Sequence, residues 1–165
     1  MNSEEEARIN PVEALQYSHA LSRRAGVMQV NMGMEMDSVF VAEREKIIRS
    51  VSRLLMRAGV PAHLKGYHYL REAIVMTVID FDNINAVTKR LYPVVARKFN
   101  TSNVCVERAI RHAIQIAWFR EECASVANCA GVIAGTFSAK PTNSCFIAEF
   151  AEKIRHETFE ESADD

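Results

Sequence analysis

Three capping or turn residues in a row, Asn100-Thr101-Ser102, stand between two stretches whose apolar residues recur every three or four positions. A helix period on both sides of so short a break predicts two helices held close and at an angle, the layout of a helix-turn-helix. Either Thr101 or Ser102 is the expected cap of the second helix. The first lies within a helical span from about Ile84 to Phe99, through Val87, Leu91, Val95 and Phe99. Pro93 there either opens a fresh helix or kinks a longer one.

The rest of the chain reads the same way. Asn10-Pro11 is a cap and first-turn pair, and PVEALQYSHALSRRAG is a short helix stopped by Gly26. VMQVNMGMEM follows with four methionines around a glycine and fits neither period, so a linker is expected; copper(I) binding is the less economical reading. From Asp37 or Ser38, the residues Phe40, Ile47, Ile48, Val51, Leu54, Leu55 and Ala58 mark a helix ending at Gly59. Tyr69 to Asp80 is another, with Leu70, Ala73, Ile74, Thr77 and Val78 on one side. The segment 121–138 is small-residue-rich and ambiguous. Pro141-Thr142-Asn143-Ser144 restarts a last helix with Phe146, Ile147, Phe150, Ala151 and Ile154 inward. No strand alternation of any length occurs, so the expected fold is all-α. The division is an N-terminal helix and Met-rich linker over 1–40, a helix-turn-helix domain over 41–157 and an acidic tail over 158–165.

Charge adds the functional lead. The formal net charge is −1, yet Asn85 to Arg120 holds Lys89, Arg90, Arg97, Lys98, Arg108, Arg111 and Arg120 against the single acid Glu107. That basic block faces an acidic end, and an uneven distribution bears on partners more than the total does. On VERAIRHAIQIAW (106–118), Val106, Ala109, Ile110, Ala113, Ala117 and Trp118 form the inward stripe. Glu107, Arg108, Arg111, His112 and Gln115 form the other face. Arginine can donate two parallel hydrogen bonds to guanine, glutamate can accept from cytosine and glutamine can pair with adenine. A solvated charged face would look the same, so both readings stand on composition alone.

Other constellations are weaker. The cysteines at 105, 123, 129 and 145 contain no CxxC pair, and no early segment reads as a signal peptide, so a reduced, cytoplasmic protein is expected. His112, Cys105, Cys123 and Cys129 lack paired zinc spacing, and no metal or other cofactor is expected. His63, Lys65, Tyr67, His68 and Tyr69 gather acid-base groups without a nucleophile or carboxylate pair; a helix start packing its tyrosines inward is the simpler reading, and no enzyme is expected. No run reaches the ~18 apolar residues of a membrane span.

Four motifs in order, PAHLKGYHYLREAI (61–74), TKRLYPVVARKFN (88–100), VERAIRHAIQIAW (106–118) and AKPTNSCFIA (139–148), resemble the DNA-binding effector domain of the sporulation response regulator, the stage 0 sporulation protein A family. The similarity runs from about residue 47 to 157. It implies a six-helix domain with a helix-turn-helix that binds double-stranded DNA at a guanine-containing box, often as head-to-tail homodimers on tandem boxes. It also implies transcription regulation through RNA polymerase sigma subunits. Carried over, the base-reading positions are Glu107, Arg108 and Arg111 on a recognition helix of about 103–118, with His112 matching beside them; Gln115, on the same face by period, is a further candidate. Arg97, Lys98, Asn100, Thr101 and Ser102 would serve the DNA backbone. Cys105 stands where the family has a further arginine, and 121–138, the region used for sigma and protomer contacts, matches weakly. The forty residues upstream carry no receiver pattern, so the expectation is an effector domain without a phosphorylation switch. The competing expectation is a protein-interaction module or decoy derived from that domain.

Overall fold

The computed structural model describes residues 33–125 and 136–161, with side chains over 41–120 and 136–158. The helix expected before Gly26, the first part of the Met-rich linker and most of the small-residue segment lie outside these residues. Five α-helices are present among the described residues and no strand: α1 (Gly33–Arg57), α2 (Lys65–Ile79), α3 (Tyr92–Lys98), α4 (Asn103–Ser125) and α5 (Asn143–Glu161). The all-α expectation is met.

Helix α1 buries Ile47, Val51, Leu54, Leu55 and Ala58, the period read from the sequence. It starts at Gly33 rather than at Asp37 or Ser38, so the last four residues of the methionine-rich stretch are helical. Methionine is a good helix former, and a single glycine at the first position costs little there. The helix closes with Gly59 at φ +71°, the Gly59 amide on the Met56 carbonyl at 3.0 Å and the Val60 amide on that of Leu55 at 3.1 Å. These two reversed bonds satisfy carbonyls the helix leaves open, and a left-handed residue is what permits them.

Helix α2 is the hub and touches each of the other four helices. Ten of its fifteen residues are buried, from Gly66 to Ile79. It begins four residues earlier than expected, at Lys65, because Gly66 is a packing residue and not a turn. A Cβ on Gly66 would sit 2.0 Å from the Ala109 carbonyl oxygen and 2.8 Å from the Ala113 Cβ. The missing side chain lets α2 and α4 meet backbone to backbone. Tyr67 and Tyr69 are buried in the core as the packing reading required. At the far end, the buried Asn83 amide donates to the Met76 carbonyl at 3.0 Å, and Asp80 accepts from the Asp82 amide at 3.2 Å.

Of the two readings of the helical span from Ile84 to Phe99, the fresh helix at Pro93 is the one found: α3 starts there, and a 3-10 segment (Phe81–Ala86) and a wide π-turn (Val87–Leu91) precede it. Pro93 explains the break. It has no amide to bond the Lys89 carbonyl, and its ring would crowd that carbonyl in a regular helix. The chain widens instead, with the Tyr92 amide reaching back five residues to Val87. Helix α5 covers the bundle with Phe146, Ile147, Phe150, Ala151 and Ile154 fully buried, and it continues to Glu161, into the stretch read as the acidic tail.

Candidate DNA interface

The connection between α3 and α4 is built like the end of α1, with asparagine in place of glycine. Asn100 lies at φ +49°, its amide bonds the Arg97 carbonyl at 3.3 Å, and the Thr101 amide bonds the Ala96 carbonyl at 2.9 Å. Asparagine is the side chain that tolerates this left-handed conformation best after glycine. Ser102 then caps α4: its Oγ accepts from the Cys105 amide at 3.2 Å. Of the two cap candidates, Ser102 is the one used.

Helix α4 presents two unlike faces. Val106, Ile110, Ala113, Ile114 and Ala117 are buried, and Ala109 and Trp118 pack partly against the same core. Ile114 belongs to this stripe although the sequence pattern had not included it. Opposite them Arg108, Arg111 and His112 are exposed, and Glu107 and Gln115 half-buried. The structure therefore places the expected base-reading residues on one open face. Within it, Glu107 and Arg111 form an ion pair one turn apart. Arg108 has no ion-pair partner among the described residues.

The expected backbone contacts divide. Arg97 is exposed and unpaired among the described residues. Lys98 is committed: its Nζ lies 2.5 Å from Glu72 Oε2, while Glu72 Oε1 accepts from Arg44 at 2.9 Å. That buried-edge carboxylate ties α1, α2 and α3 together. Asn100 and Thr101 use their backbone amides in the turn itself, and Ser102 uses its oxygen on the cap.

Two residues that sequence reasoning missed belong to this region. Asn143, the first residue of α5, donates through Nδ2 to the Tyr92 hydroxyl at 3.0 Å and to the Glu107 carbonyl at 3.1 Å. One side chain thus fastens both helices of the helix-turn-helix to α5. Lys140 lines an open cleft of about 440 Å³ together with Arg111, Glu107, Thr142 and Ser144, adding a cation beside the open face. The PTNS motif announced a helix start; nothing in it announced a clip.

Local electrostatics follow. Burial pushes the Tyr92 phenol above its ordinary value, against the hydrogen bond from Asn143, which lowers it. The Cys105 thiol, exposed in the first turn of α4, is held below its ordinary value, first by the hydrogen bond with the Ser102 side chain, then by Thr101, with Arg108 contributing. Cys145 occupies the equivalent place in α5, three residues after its cap Thr142. Both thiols are free. Of the zinc constellation considered from sequence, the Cys123 and Cys129 side chains lie outside the described residues.

Residues 51–154 match the family model described as sporulation initiation factor Spo0A C terminal. The matched span takes in the last seven residues of α1, the whole helix-turn-helix and α5 through Ile154.

Proposed function

The chain belongs to the family of the Spo0A C-terminal domain, a DNA-binding regulatory family of sporulation and not an enzyme family, and from that premise we propose that it reads the sequence of duplex DNA through the open face of α4. The observation that supports this most is the row of exposed Arg108 and Arg111 with half-buried Glu107 beside them on the helix surface, opposite a fully buried stripe. A helix gripped along one side keeps the other in fixed register, which base recognition requires.

In this reading α4 lies in the major groove with its first turns against the base edges. Arg108 and Arg111 each donate a forked pair of hydrogen bonds to guanine O6 and N7, and Glu107 accepts from cytosine N4. The ion pair with Glu107 holds the Arg111 guanidinium in place before DNA arrives, reducing the side-chain freedom lost on binding. His112 and Gln115 flank the row. Arg97, Asn100, Thr101, Ser102 and Lys140 meet the phosphates that border the groove, and Lys98 does so from its place on Glu72.

A module of this size buries on the order of 600 to 1,000 Å² on DNA, which supports modest affinity alone. Homodimers on tandem sites, and a contact with an RNA polymerase sigma subunit, complete the proposal as a transcription regulator. A randomised-duplex selection on the purified chain tests it, with light scattering to report assembly. Selection should return a guanine-containing box; Arg108→Ala should flatten preference at one position by about tenfold or more. Arg97→Ala should weaken all sequences alike and shallow the salt dependence by about one unit. Absence of duplex binding at low salt would sink the proposal and leave a protein-interaction module. Unchanged base preference in Arg108→Ala would show that the docking is wrong.

A further inference from the structure

Five large apolar side chains are strongly exposed among the described residues: Val41, Met56, Val94, Val104 and Phe119. An isolated apolar side chain on a surface is ordinary. Val104 differs by its address. It is the second residue of α4 and is 55% exposed. Arg108, Arg111 and Gln115 follow it at four, seven and eleven residues, so at ~100° per residue all four fall in one narrow stripe. That stripe lies directly opposite Val106, Ile110, Ala113 and Ala117, all fully buried. Val104 therefore stands at the leading end of the open face, in the turn of a recognition helix that reaches base edges most readily.

A β-branched apolar residue has no local reason to be there. The first turn of a helix favours small polar or acidic residues that answer its open amides and its positive end, and valine is a poorer helix former than most alternatives. The major groove, by contrast, offers one apolar feature among its donors and acceptors, the 5-methyl group of thymine.

We propose that Val104 is a specificity-determining residue, its side chain packing on the 5-methyl of a thymine about two base pairs from the pair that Arg108 reads. The spacing comes from ~6 Å of helix rise over four residues against ~3.4 Å per base pair. The inference rests on the reading of α4 as the DNA-binding helix. Phe119 leans toward the same side but lies about 22 Å further along the helix, beyond the groove that the first turns occupy.

The test removes one methyl group and nothing else. In the duplex selected by the wild-type chain, each thymine is replaced in turn by deoxyuridine, and affinities are measured for the wild type and for Val104→Ala. One substitution should weaken the wild type about fourfold, the value expected for one buried methyl, and leave Val104→Ala unchanged. Retained sequence preference with no sensitive thymine, a selected box without thymine, or an equal loss in Val104→Ala overturns the assignment of Val104 while leaving α4 as the reading helix. Loss of all sequence preference in the wild type removes the parent reading, and Val104 with it. Val104 touches no core, so the variant should fold as the wild type does, which a thermal melt checks.

Discussion

Helices α2 and α4 cross at Gly66 and Ala109, yet they are opposite in kind. Helix α2 is buried through most of its circumference, and its length is occupied by contacts with the other four helices. Helix α4 is buried along one stripe, and its other side carries arginines, a histidine and an exposed valine. A residue of α2 answers to stability; a residue on the open side of α4 answers to whatever that side meets. The contrast separates two kinds of effect that a single substitution can have.

The largest expected effect is on α2. Leu70 is fully buried, and Leu70→Ala should cost about 2 to 5 kcal/mol in denaturant unfolding, whereas Arg108→Ala should stay within ~0.5 kcal/mol of the wild type. Equal costs would erase the distinction. Next comes the crossing itself. Gly66→Ala places a methyl against the Ala109 carbonyl, so despite its better helix propensity it should destabilise by about 1 to 3 kcal/mol. It should weaken DNA binding as well, because α4 has to move away. A melting temperature at or above the wild type's would show that the close approach is not required.

A smaller effect is expected where α5 clips α3 and α4. Asn143→Ala removes two hydrogen bonds and should cost about 1 to 2 kcal/mol. Because the Asn143 bond lowers the Tyr92 pKa, its loss should move the phenol titration upward in an ultraviolet absorbance titration; a shift downward would contradict the geometry. The smallest effect leaves stability aside. A thiol held below its ordinary pKa is thiolate at lower pH, so Cys105 should be alkylated by iodoacetamide at lower pH than the same residue in denatured protein. Ser102→Ala should move that profile upward, since Ser102 is the first cause of the shift. Mass spectrometry of the peptide carrying Cys105 reports both.

The sequence carried the helices, the turn and the row on α4 plainly, because periodicity records which side of a helix is dry. Its failures have physical causes. Gly66 falls ahead of the helix read from Tyr69, since nothing local shows that the space of its missing side chain is filled by another helix's backbone. The stretch before Pro93 reads as regular helix, since a π-turn keeps nearly the same apolar spacing. Asn143 reads only as part of a helix start, because its partners Tyr92 and Glu107 are 51 and 36 residues away. Lys98 reads as a free cation for the same reason: Glu72 is a partner only in three dimensions. The role proposed for Val104 has no signal in the sequence pattern, because a methyl contact uses no hydrogen-bonding group.

The mount at Gly66 involves the backbone of α4 and the small side chain of Ala113 on its dry stripe, and no side chain of the open face takes part in it. Letters on that face, Val104, Arg108, Arg111 and Gln115, can therefore be exchanged without disturbing how the helix is seated. On the proposed reading, a library randomised at those four positions would sample new target boxes on an unchanged holder.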